Sequence, residues 1–310
     1  MRSNQPTSLA AGIDIGGTKM AVALVDANER SSGGGFLPNP SQVGFDRAVD
    51  ALRQRFVPAG GSRPGGSGCG IGIRCRRPSQ LPEAGLINNP YTLRGWDRCN
   101  IVQPLAERFT VPVYLENDAD AAGFGECAQG AGRGHDPVVV LTFGTGIGGA
   151  AVVGGAIYRG AHGEHPELGH TPVHPDGPAC YCGTNGCLES IASGTAIANA
   201  GKAHGFEDAQ AVFHASKAGV PAAEAIIRGA VNAACTAAWT ICHTFLPQRL
   251  VLGGGIMDEH FDLFATAMRQ RLARATQFTS TAVTIAKAVL GNDAGVVGAA
   301  NIALRQRGNS

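Results

Sequence analysis

Residues 11–26 of this chain read Ala-Gly-Ile-Asp-Ile-Gly-Gly-Thr-Lys-Met-Ala-Val-Ala-Leu-Val-Asp. Apolar residues alternate on either side of a two-glycine turn, which predicts two β-strands joined as a hairpin. Because glycine carries no side chain, the backbone N–H groups of such a turn can approach an anion closely. We therefore predict a phosphate-binding hairpin. An ordinary hairpin with a polar tip is the alternative, since short glycine motifs recur by chance.

The same arrangement returns near the middle of the chain. Residues 138–153 read Val-Val-Val-Leu-Thr-Phe-Gly-Thr-Gly-Ile-Gly-Gly-Ala-Ala-Val-Val, again a strand, a glycine turn with a threonine, and a second strand. Two such hairpins indicate an internally duplicated fold in which each half offers a loop to phosphate. Chance repetition in a glycine-rich chain is the alternative.

The composition is typical of a compact α/β enzyme. The chain has 310 residues, 44% of them hydrophobic and 16% charged, with 45 glycines, and this length favours two domains. A formal net charge of +1 gives no general attraction to nucleic acid or to anionic membranes. The sequence has no unbroken run of about 18 apolar residues, so it predicts no membrane span. Nine cysteines without a secretory signal predict reduced thiols in a cytoplasmic protein.

A β-branched strand is predicted over residues 111–115, and Glu116-Asn-Asp-Ala-Asp120 follows it at once. In open α/β sheets, ligands bind at the carboxyl ends of the strands, so this position suits a catalytic base. Capping of the helix predicted over residues 121–130 is the alternative role for Asn117 or Asp118, because both residue types are common helix caps.

The C-terminal half combines predicted helices with short strands. Helices are predicted over residues 195–204, 208–215, 222–246, 261–273 and 295–305, and strands over 249–252 and 283–286. The strand at 249–252 runs into Gly253-Gly-Gly255, a turn without side chains against which a flat base or ribose could lie. A simple loop is the alternative.

Residues 167–189 combine a histidine and three cysteines with a carboxylate at each end, Glu167 and Glu189. Three thiolates and one imidazole make a natural four-coordinate zinc set, although the spacing Cys-x-Cys-x4-Cys is unlike that of an ordinary zinc finger. By composition alone, any of four histidines could supply the nitrogen ligand: His162, His165, His170 or His174. We predict a loop that a metal shapes and that holds a small polar substrate through its carboxylates.

Six short motifs follow one another along the chain: Asp14-Ile-Gly-Gly-Thr-Lys19, Glu116-Asn-Asp-Ala119, Leu141-Thr-Phe-Gly-Thr-Gly-Ile-Gly-Gly149, Glu167-Leu-Gly-His170, Cys180-x-Cys-Gly-x-x-Gly-Cys-x-Glu189 and Leu252-Gly-Gly-Gly255. In this order they resemble the ROK family (repressors, open reading frames and kinases) of the sugar kinase and actin-like ATPase superfamily. The resemblance runs nearly end to end, and the cysteine motif is its most diagnostic part.

The resemblance implies an α/β fold of two ribonuclease-H-like domains around a central cleft, in which ATP and a sugar meet. The expected N-terminal domain spans residues 1–118 and is completed by the C-terminal helix at 295–310. The expected C-terminal domain spans residues 119–294 and carries the zinc loop. Similar proteins phosphorylate glucose, N-acetylglucosamine, N-acetylmannosamine, fructose or related hexoses. A homodimer is expected from the resemblance only.

The resemblance also implies roles for single residues. Asp118 would accept the proton of the sugar's 6-hydroxyl, and Asp14 would orient Mg²⁺ through water. The residues expected to bind the sugar are Asn117, Asp118, Glu167, His170 and Glu189. Those expected to bind ATP are Asp14, Gly16, Gly17, Thr18, Lys19, Gly144, Thr145, Gly146, Gly254 and Gly255. Those expected to hold a structural Zn²⁺ are His170, Cys180, Cys182 and Cys187.

One segment departs from the family pattern. After the strand predicted at 69–73, similar kinases have a short glycine turn close to the sugar, whereas this chain has Arg74-Cys-Arg-Arg-Pro-Ser-Gln-Leu81. A compensated reading-frame change or a family variant with a basic pocket rim would each produce this segment, and either one predicts altered activity or sugar choice. Asp120, where relatives often carry asparagine, is expected to cost little.

These features predict an ATP-dependent hexokinase, with glucose as the first choice of substrate. An N-acetylglucosamine kinase, an N-acetylmannosamine kinase or a fructokinase is the alternative among active enzymes. A sugar-binding homologue that is inactivated at residues 74–81 is a further alternative. A sugar-responsive repressor is disfavoured, because the first motif begins at Asp14 and leaves no room ahead of it for a helix-turn-helix.

Overall fold

The computed structural model describes residues 9–15, 20–26, 31–37, 47, 50, 69–75, 100–276 and 283–308. The chain divides into two compact units, each with one five-stranded sheet. The first unit comprises Met1–Gly130, Arg159–His165 and Asn292–Ser310, and the second comprises Ala131–Tyr158 and Pro166–Gly291. The predicted α/β class is confirmed by these two mixed sheets and their helices.

The first unit begins with the predicted hairpin. Its elements are β1 (Leu9–Ile15), β2 (Met20–Asp26), β3 (Ser31–Leu37), β4 (Cys69–Cys75), α1 (Val102–Phe109), β5 (Val113–Asn117), α2 (Asp118–Gln129) and α8 (Ala294–Gly308). The sheet order is β3-β2-β1-β4-β5. β1 and β2 pair antiparallel, as the alternation of apolar residues predicts, while β4 runs parallel to both β1 and β5.

Helices cover both faces of this sheet. Leu105 and Phe109 of α1 share a buried cluster with Ile13 and Ile73. On the other face, α8 lies so close that a Cβ atom at Gly72 would come within 1.7 Å of the carbonyl oxygen of Ala299. Glycine in β4 is therefore a packing requirement, and it lets the C-terminal helix rest directly on the N-terminal sheet.

The first unit extends beyond the domain boundary expected at residue 118. It includes the whole of α2 and a separate segment, residues 159–165. The reason lies in the packing of α2 against α8, where a Cβ atom at Gly298 would come within 1.7 Å of the carbonyl oxygen of Ala121. A sequence motif at the end of a strand marks the candidate site, but helix packing determines where the compact unit ends.

The second unit repeats the strand–turn–strand arrangement. Its elements are β6 (Val138–Phe143), β7 (Ile147–Val153), β8 (Ala156–Ile157), α3 (Leu188–Ala192), α4 (Gly194–Lys202), α5 (Ala209–Lys217), α6 (Pro221–Phe245), β9 (Arg249–Gly253), α7 (Gly255–Leu272) and β10 (Thr284–Lys287). The sheet order is β10-β9-β6-β7-β8, with β6 antiparallel to β7 and parallel to β9. A large apolar cluster joins β6 and β9 to α5, α6 and α7.

Two helices begin three or more residues earlier than the sequence predicts. α2 begins at Asp118 rather than at residue 121, so the acidic residues after β5 form its first turn. α7 begins at Gly255 rather than at residue 261, and its backbone departs from helical geometry at His260. This kink separates the first turns of α7 from the regular apolar pattern, which is why the periodicity detected only the later part.

One described helix, α6, is long and apolar enough to cross a membrane by length and composition. Half of its most apolar window is buried inside the unit, and Ala230, Ala234 and Ala237 belong to the apolar cluster of the core. Since the core helix of a globular domain passes the same test, this helix is weak evidence for a membrane span.

Candidate active site

The carboxyl ends of three parallel strands meet at one edge of the first unit's sheet. β4 lies between β1 and β5, and the register pairs Asp14 with Arg74 and Arg74 with Glu116. Ligands of open α/β sheets bind at such an edge. The residues that end these strands are therefore the candidates for chemistry in this unit.

Asn117 ends β5 and caps α2. Its side-chain oxygen accepts hydrogen bonds from the backbone N–H groups of Ala119 (2.8 Å) and Asp120 (3.2 Å), and its side-chain nitrogen lies 3.3 Å from Nε2 of His165. Both ends of this buried amide thus have partners within the unit. The capping role considered from the sequence is present, and a contact between Asn117 and a sugar hydroxyl stays a prediction.

Asp118 is the first residue of α2 and has a more open environment. Its side chain is 33% exposed, and its Oδ2 lies 4.0 Å from Nη2 of Arg74. Its Oδ1 accepts a hydrogen bond from the backbone N–H of Ala119 (3.0 Å). The carboxylate is thus held at the start of the helix while remaining accessible to a ligand, which a general base requires.

Arg74 is a site residue that the sequence analysis missed. It lies within β4, which continues past the end predicted at residue 73. Its guanidinium forms an ion pair with Asp14, and its Nε donates a hydrogen bond to the backbone carbonyl of Asp118 (3.2 Å). The signal that could have placed Arg74 is the alternation of side chains along a strand, which puts residue 74 on the same sheet face as Gly72.

A second charged cluster lies beside the first. Nη2 of Arg159 is 2.5 Å from Oε1 of Glu116, and Nη1 pairs with Asp120. Asp120 is fully buried, and its Oδ1 has no hydrogen-bond partner among the described residues. Burial raises the pKa of Asp120 to about 6, against the opposing effect of Arg159. A carboxylate is expensive to bury incompletely paired, so this environment argues against the expectation that Asp120 costs little.

In the second unit, the glycine turn at residues 144–146 joins β6 to β7. The backbone N–H of Gly144 donates to the carbonyl of Gly146 (2.9 Å). The carboxylate of Glu189 accepts a hydrogen bond from the backbone N–H of Ile147 (2.6 Å). Glu189, in the first turn of α3, therefore lies beside the predicted second phosphate turn, and Thr145 at the tip of that turn is exposed.

The third glycine segment lies at the same edge of the second sheet. The register aligns Thr142 of β6 with Gly253 of β9. Gly254 precedes α7 with φ 88° and ψ 164°, a conformation that is essentially restricted to glycine. A Cβ atom at Gly254 would lie 2.5 Å from the carbonyl oxygen of Phe143. Gly254 and Gly255 are exposed, so this edge presents backbone rather than side chains.

Four metal-binding side chains converge in the second unit. The ligand atoms of His170, Cys180, Cys182 and Cys187 all lie within 4.8 Å of one another. Sγ of Cys180 is 3.4 Å from Nδ1 of His170, and Sγ of Cys182 is 3.5 Å from Sγ of Cys187. Sulfur ligands of a tetrahedral Zn²⁺ lie about 3.8 Å apart. Among the four histidines open from composition, His170 is the one that the structure brings to the cysteines.

The remaining predicted sugar ligands of this unit flank the cysteine cluster. Glu167 is exposed and directly precedes the short 3-10 helix Leu168–His170. Nε2 of His170 lies 3.1 Å from the hydroxyl of Tyr181, whose ring packs edge-on against the imidazole. His170 thus presents Nδ1 to the cysteines and Nε2 to Tyr181. The first phosphate turn (Gly16, Gly17, Thr18 and Lys19) and residues 76–81 lie outside the described residues.

Comparison with known proteins establishes the class. A family model described as "ROK family" matches residues 10–306. The fold is the actin-like ATPase fold of ROK sugar kinases. The chain belongs to the ROK family, as its six motifs predict.

Individual relatives carry sugar kinase names. The chain is 33% identical to a glucokinase of Thermotoga maritima, over 94% of this chain and 96% of the relative. It is also 33% identical to an N-acetylmannosamine kinase of Escherichia coli O157:H7, over 96% of this chain and 98% of the relative. Among solved structures, a ROK glucokinase from Streptomyces griseus in complex with glucose and AMPPNP superposes with a TM-score of 0.68. That enzyme is 30% identical, covering 96% of this chain and 99% of its own.

Proposed function

We propose that this chain phosphorylates a hexose at its 6-hydroxyl with ATP, and that glucose is the preferred hexose. The observation that carries the proposal is the accessible carboxylate of Asp118, held at the carboxyl end of β5 beside Asp14 and Arg74. The glucose and AMPPNP complex of the Streptomyces griseus enzyme supports the choice of both substrates.

The chemistry is a direct phosphoryl transfer. The 6-hydroxyl oxygen forms a bond to the γ-phosphorus of ATP while the bond between that phosphorus and the β–γ bridging oxygen breaks, which releases ADP. Asp118 accepts the proton of the hydroxyl. A carboxylate of ordinary basicity is adequate for this step if it is well aimed, since the proton moves late.

Backbone groups of the second unit would bind the nucleotide. Thr145 and Gly146 lie at the tip of a turn, and Gly254 and Gly255 offer a surface without side chains to the adenosine. In the first unit, Gly16, Gly17, Thr18 and Lys19 are proposed to bind phosphate on sequence grounds. Asp14 would orient Mg²⁺ through a bound water, and the ion would neutralise charge on the phosphates.

The cysteine cluster would hold a structural Zn²⁺. Its four donors fit the ion in number, chemical type and separation. Burial raises the pKa of Cys187 to about 12, so this thiol becomes a ligand only when a cation displaces its proton. Four protein ligands leave no open position for chemistry, and the ion would therefore stiffen the segment that carries Glu167, His170 and Glu189 toward the sugar.

N-acetylmannosamine is the alternative substrate favoured by a specific observation, the 33% identity to the Escherichia coli enzyme of that name. N-acetylglucosamine and fructose kinases remain sequence-based alternatives. An impaired sugar-binding homologue also remains one, because residues 74–81 depart from the family pattern. A cytoplasmic location and a homodimeric assembly are expectations from composition and from the resemblance.

The test is a panel of hexoses supplied with ATP and Mg²⁺, in which sugar phosphate formation is measured directly. We expect glucose to give the highest kcat/KM. A higher value for N-acetylmannosamine would move the assignment to that sugar. Binding of glucose without turnover of any hexose would establish the impaired homologue.

A further inference from the structure

The place of Arg74 in the first unit calls for a functional explanation. This residue is the last but one of the strand that lies between β1 and β5, and the register sets it opposite Asp14 on one side and Glu116 on the other. The pattern of similar proteins continues here into a short glycine turn, so the cation is a departure of this chain from that pattern. The structure brings the guanidinium to the two carboxylates that the proposed reaction uses.

The contacts hold the guanidinium in one position. Nη1 pairs with Oδ2 of Asp14, and Nε donates to the backbone carbonyl of Asp118 at 3.2 Å. The side chain also lies flat against the start of α8, since a Cβ atom at Gly295 would come within 2.3 Å of Cδ of Arg74. An arginine fixed at three points along its side chain loses little further freedom when it binds a ligand.

The same contacts leave part of the guanidinium available. Arginine has five N–H donors, and among the described residues the hydrogen bonds of Arg74 come from Nε and Nη1. Nη2 is 4.0 Å from Oδ2 of Asp118, which is too far for a hydrogen bond. The side chain is 26% exposed, so an anion can reach it.

Arg74 places a positive charge beside the carboxylates of Asp14 and Asp118. A terminal phosphate that approached Asp118 would be repelled by the carboxylates of Asp118 and Asp14. Mg²⁺ offsets part of this repulsion when it is bound, and the guanidinium offsets part of it without a metal. A planar arginine fork also matches the oxygens of a phosphate in geometry.

We propose that Arg74 binds the terminal phosphate of the nucleotide, as a positively charged group built into β4 of this chain. The proposal rests on the proposed function, since it takes a nucleoside triphosphate as the ligand. In this interpretation Asp14 and the Asp118 carbonyl orient the guanidinium, and the donors of Nη2 face the phosphate. The departure from the family pattern at residue 74 then supplies a phosphate ligand.

The consequence is a specific contribution to binding of the third phosphate. AMPPNP has a terminal phosphate group that ADP lacks, so the ratio of their dissociation constants reports contacts to that group. Loss of a charge-assisted hydrogen bond of this kind should reduce the preference for AMPPNP on the order of tenfold. The reduction should be largest in the presence of a chelator, where Arg74 acts without Mg²⁺.

Isothermal titration calorimetry of the full chain tests this, with AMPPNP and ADP each titrated with Mg²⁺ and with chelator. The variants are Arg74→Gln, Arg74→Lys and the control Arg108→Gln, which alters an exposed arginine of α1 that pairs with Asp50. We expect a tenfold smaller AMPPNP preference in Arg74→Gln, a smaller reduction in Arg74→Lys, and none in the control. If Arg74→Gln does not fold, the reduction in Arg74→Lys carries the test.

An unchanged ratio in both Arg74 variants would overturn the proposal, even if turnover fell, because it would show that Arg74 only holds the strand and helix ends together. An equal loss of affinity for both nucleotides, or tighter binding of AMPPNP, would overturn it as well. Failure of the proposed function is a separate result. It would appear as absence of turnover on every hexose, while the ratio of nucleotide affinities is measured without a sugar.

Discussion

Both units contain a strand–turn–strand hairpin within a five-stranded sheet, yet their candidate site residues differ in chemical kind. In the first unit, charged side chains lie at and just beyond the ends of the parallel strands, where Arg74 pairs with Asp14 and Arg159 with Asp120. The second unit offers backbone at its glycine segments and a cluster of sulfur and nitrogen ligands. The candidate site of the first unit therefore consists mainly of charged side chains. That of the second unit consists mainly of exposed backbone and possible metal ligands.

Because of this difference, we expect the two units to respond to different kinds of perturbation. Replacing a carboxylate by its amide removes charge from the first unit with almost no change of shape. In the second unit, the matching perturbations are an added methyl group at a glycine or removal of a metal. These perturbations test whether charge matters mainly in the first unit, and backbone and metal ligands mainly in the second.

Asp118→Asn should abolish nearly all phosphoryl transfer, with a fall in kcat on the order of 100-fold to 10,000-fold, because an amide cannot accept the hydroxyl proton. Sugar affinity should persist, since the amide keeps the size of the side chain. Steady-state kinetics together with glucose titration measures both. Asp50→Asn, at an exposed aspartate of the same unit, is the control. Retained turnover in Asp118→Asn would remove this residue from the role of base.

Cys182→Ser should raise the KM for the sugar by about tenfold or more, because loss of one thiolate would weaken the proposed metal site and with it the stiffening of the proposed sugar-binding segment. Metal content is measured by elemental analysis alongside the kinetics, and kcat should fall less than in Asp118→Asn. Cys127→Ser, at a cysteine of α2 in the other unit, is the matched control. A metal-free protein with an unchanged KM would show that the cluster has no part in sugar binding.

Gly254→Ala should lower the free energy of unfolding by about 1–3 kcal/mol, because alanine is strained at this backbone conformation and its Cβ would lie 2.5 Å from the Phe143 carbonyl oxygen. Gly255→Ala provides the comparison within the same segment. A Cβ atom there meets nothing within 4 Å, so its unfolding free energy should change little. Chemical denaturation of both variants measures the difference, and equal values would show that the shape of this edge is not set by Gly254.

The sequence predicted the second unit's contribution more completely than the first unit's. Glycine turns and a Cys-x-Cys-x4-Cys spacing are local signals, and the structure has a turn at residues 144–146, a glycine-type conformation at Gly254 and converging thiols around Cys182. The ion pairs of the first unit join residues that are far apart in the chain, such as Arg74 with Asp14 and Arg159 with Asp120. No local pattern encodes such pairs, because they depend on strand order and on the packing of α8 and α2.

The buried pair of the first unit gives the smallest and most specific prediction, which concerns pH. Burial raises the pKa of Asp120 from 3.8 to about 6, with Glu116, Arg159 and His165 as its charged neighbours. A folded-state pKa above the unfolded value means that the folded protein holds the proton more tightly. The stability that this proton contributes is present below pH 4 and is lost as the pH rises through 6.

Asp120→Asn removes this titratable group. The unfolding free energy of the wild type minus that of the variant should therefore fall as the pH rises from 4 to 6. The expected slope is about 1 kcal/mol per pH unit, close to the limit for one proton. Above pH 6 the variant should be the more stable protein, because Arg159 keeps Glu116 as a partner and no incompletely paired carboxylate is buried. Denaturation curves at several pH values measure this difference, with Asp50→Asn as the exposed control. A flat difference would mean that Arg159 fully compensates the buried charge of Asp120.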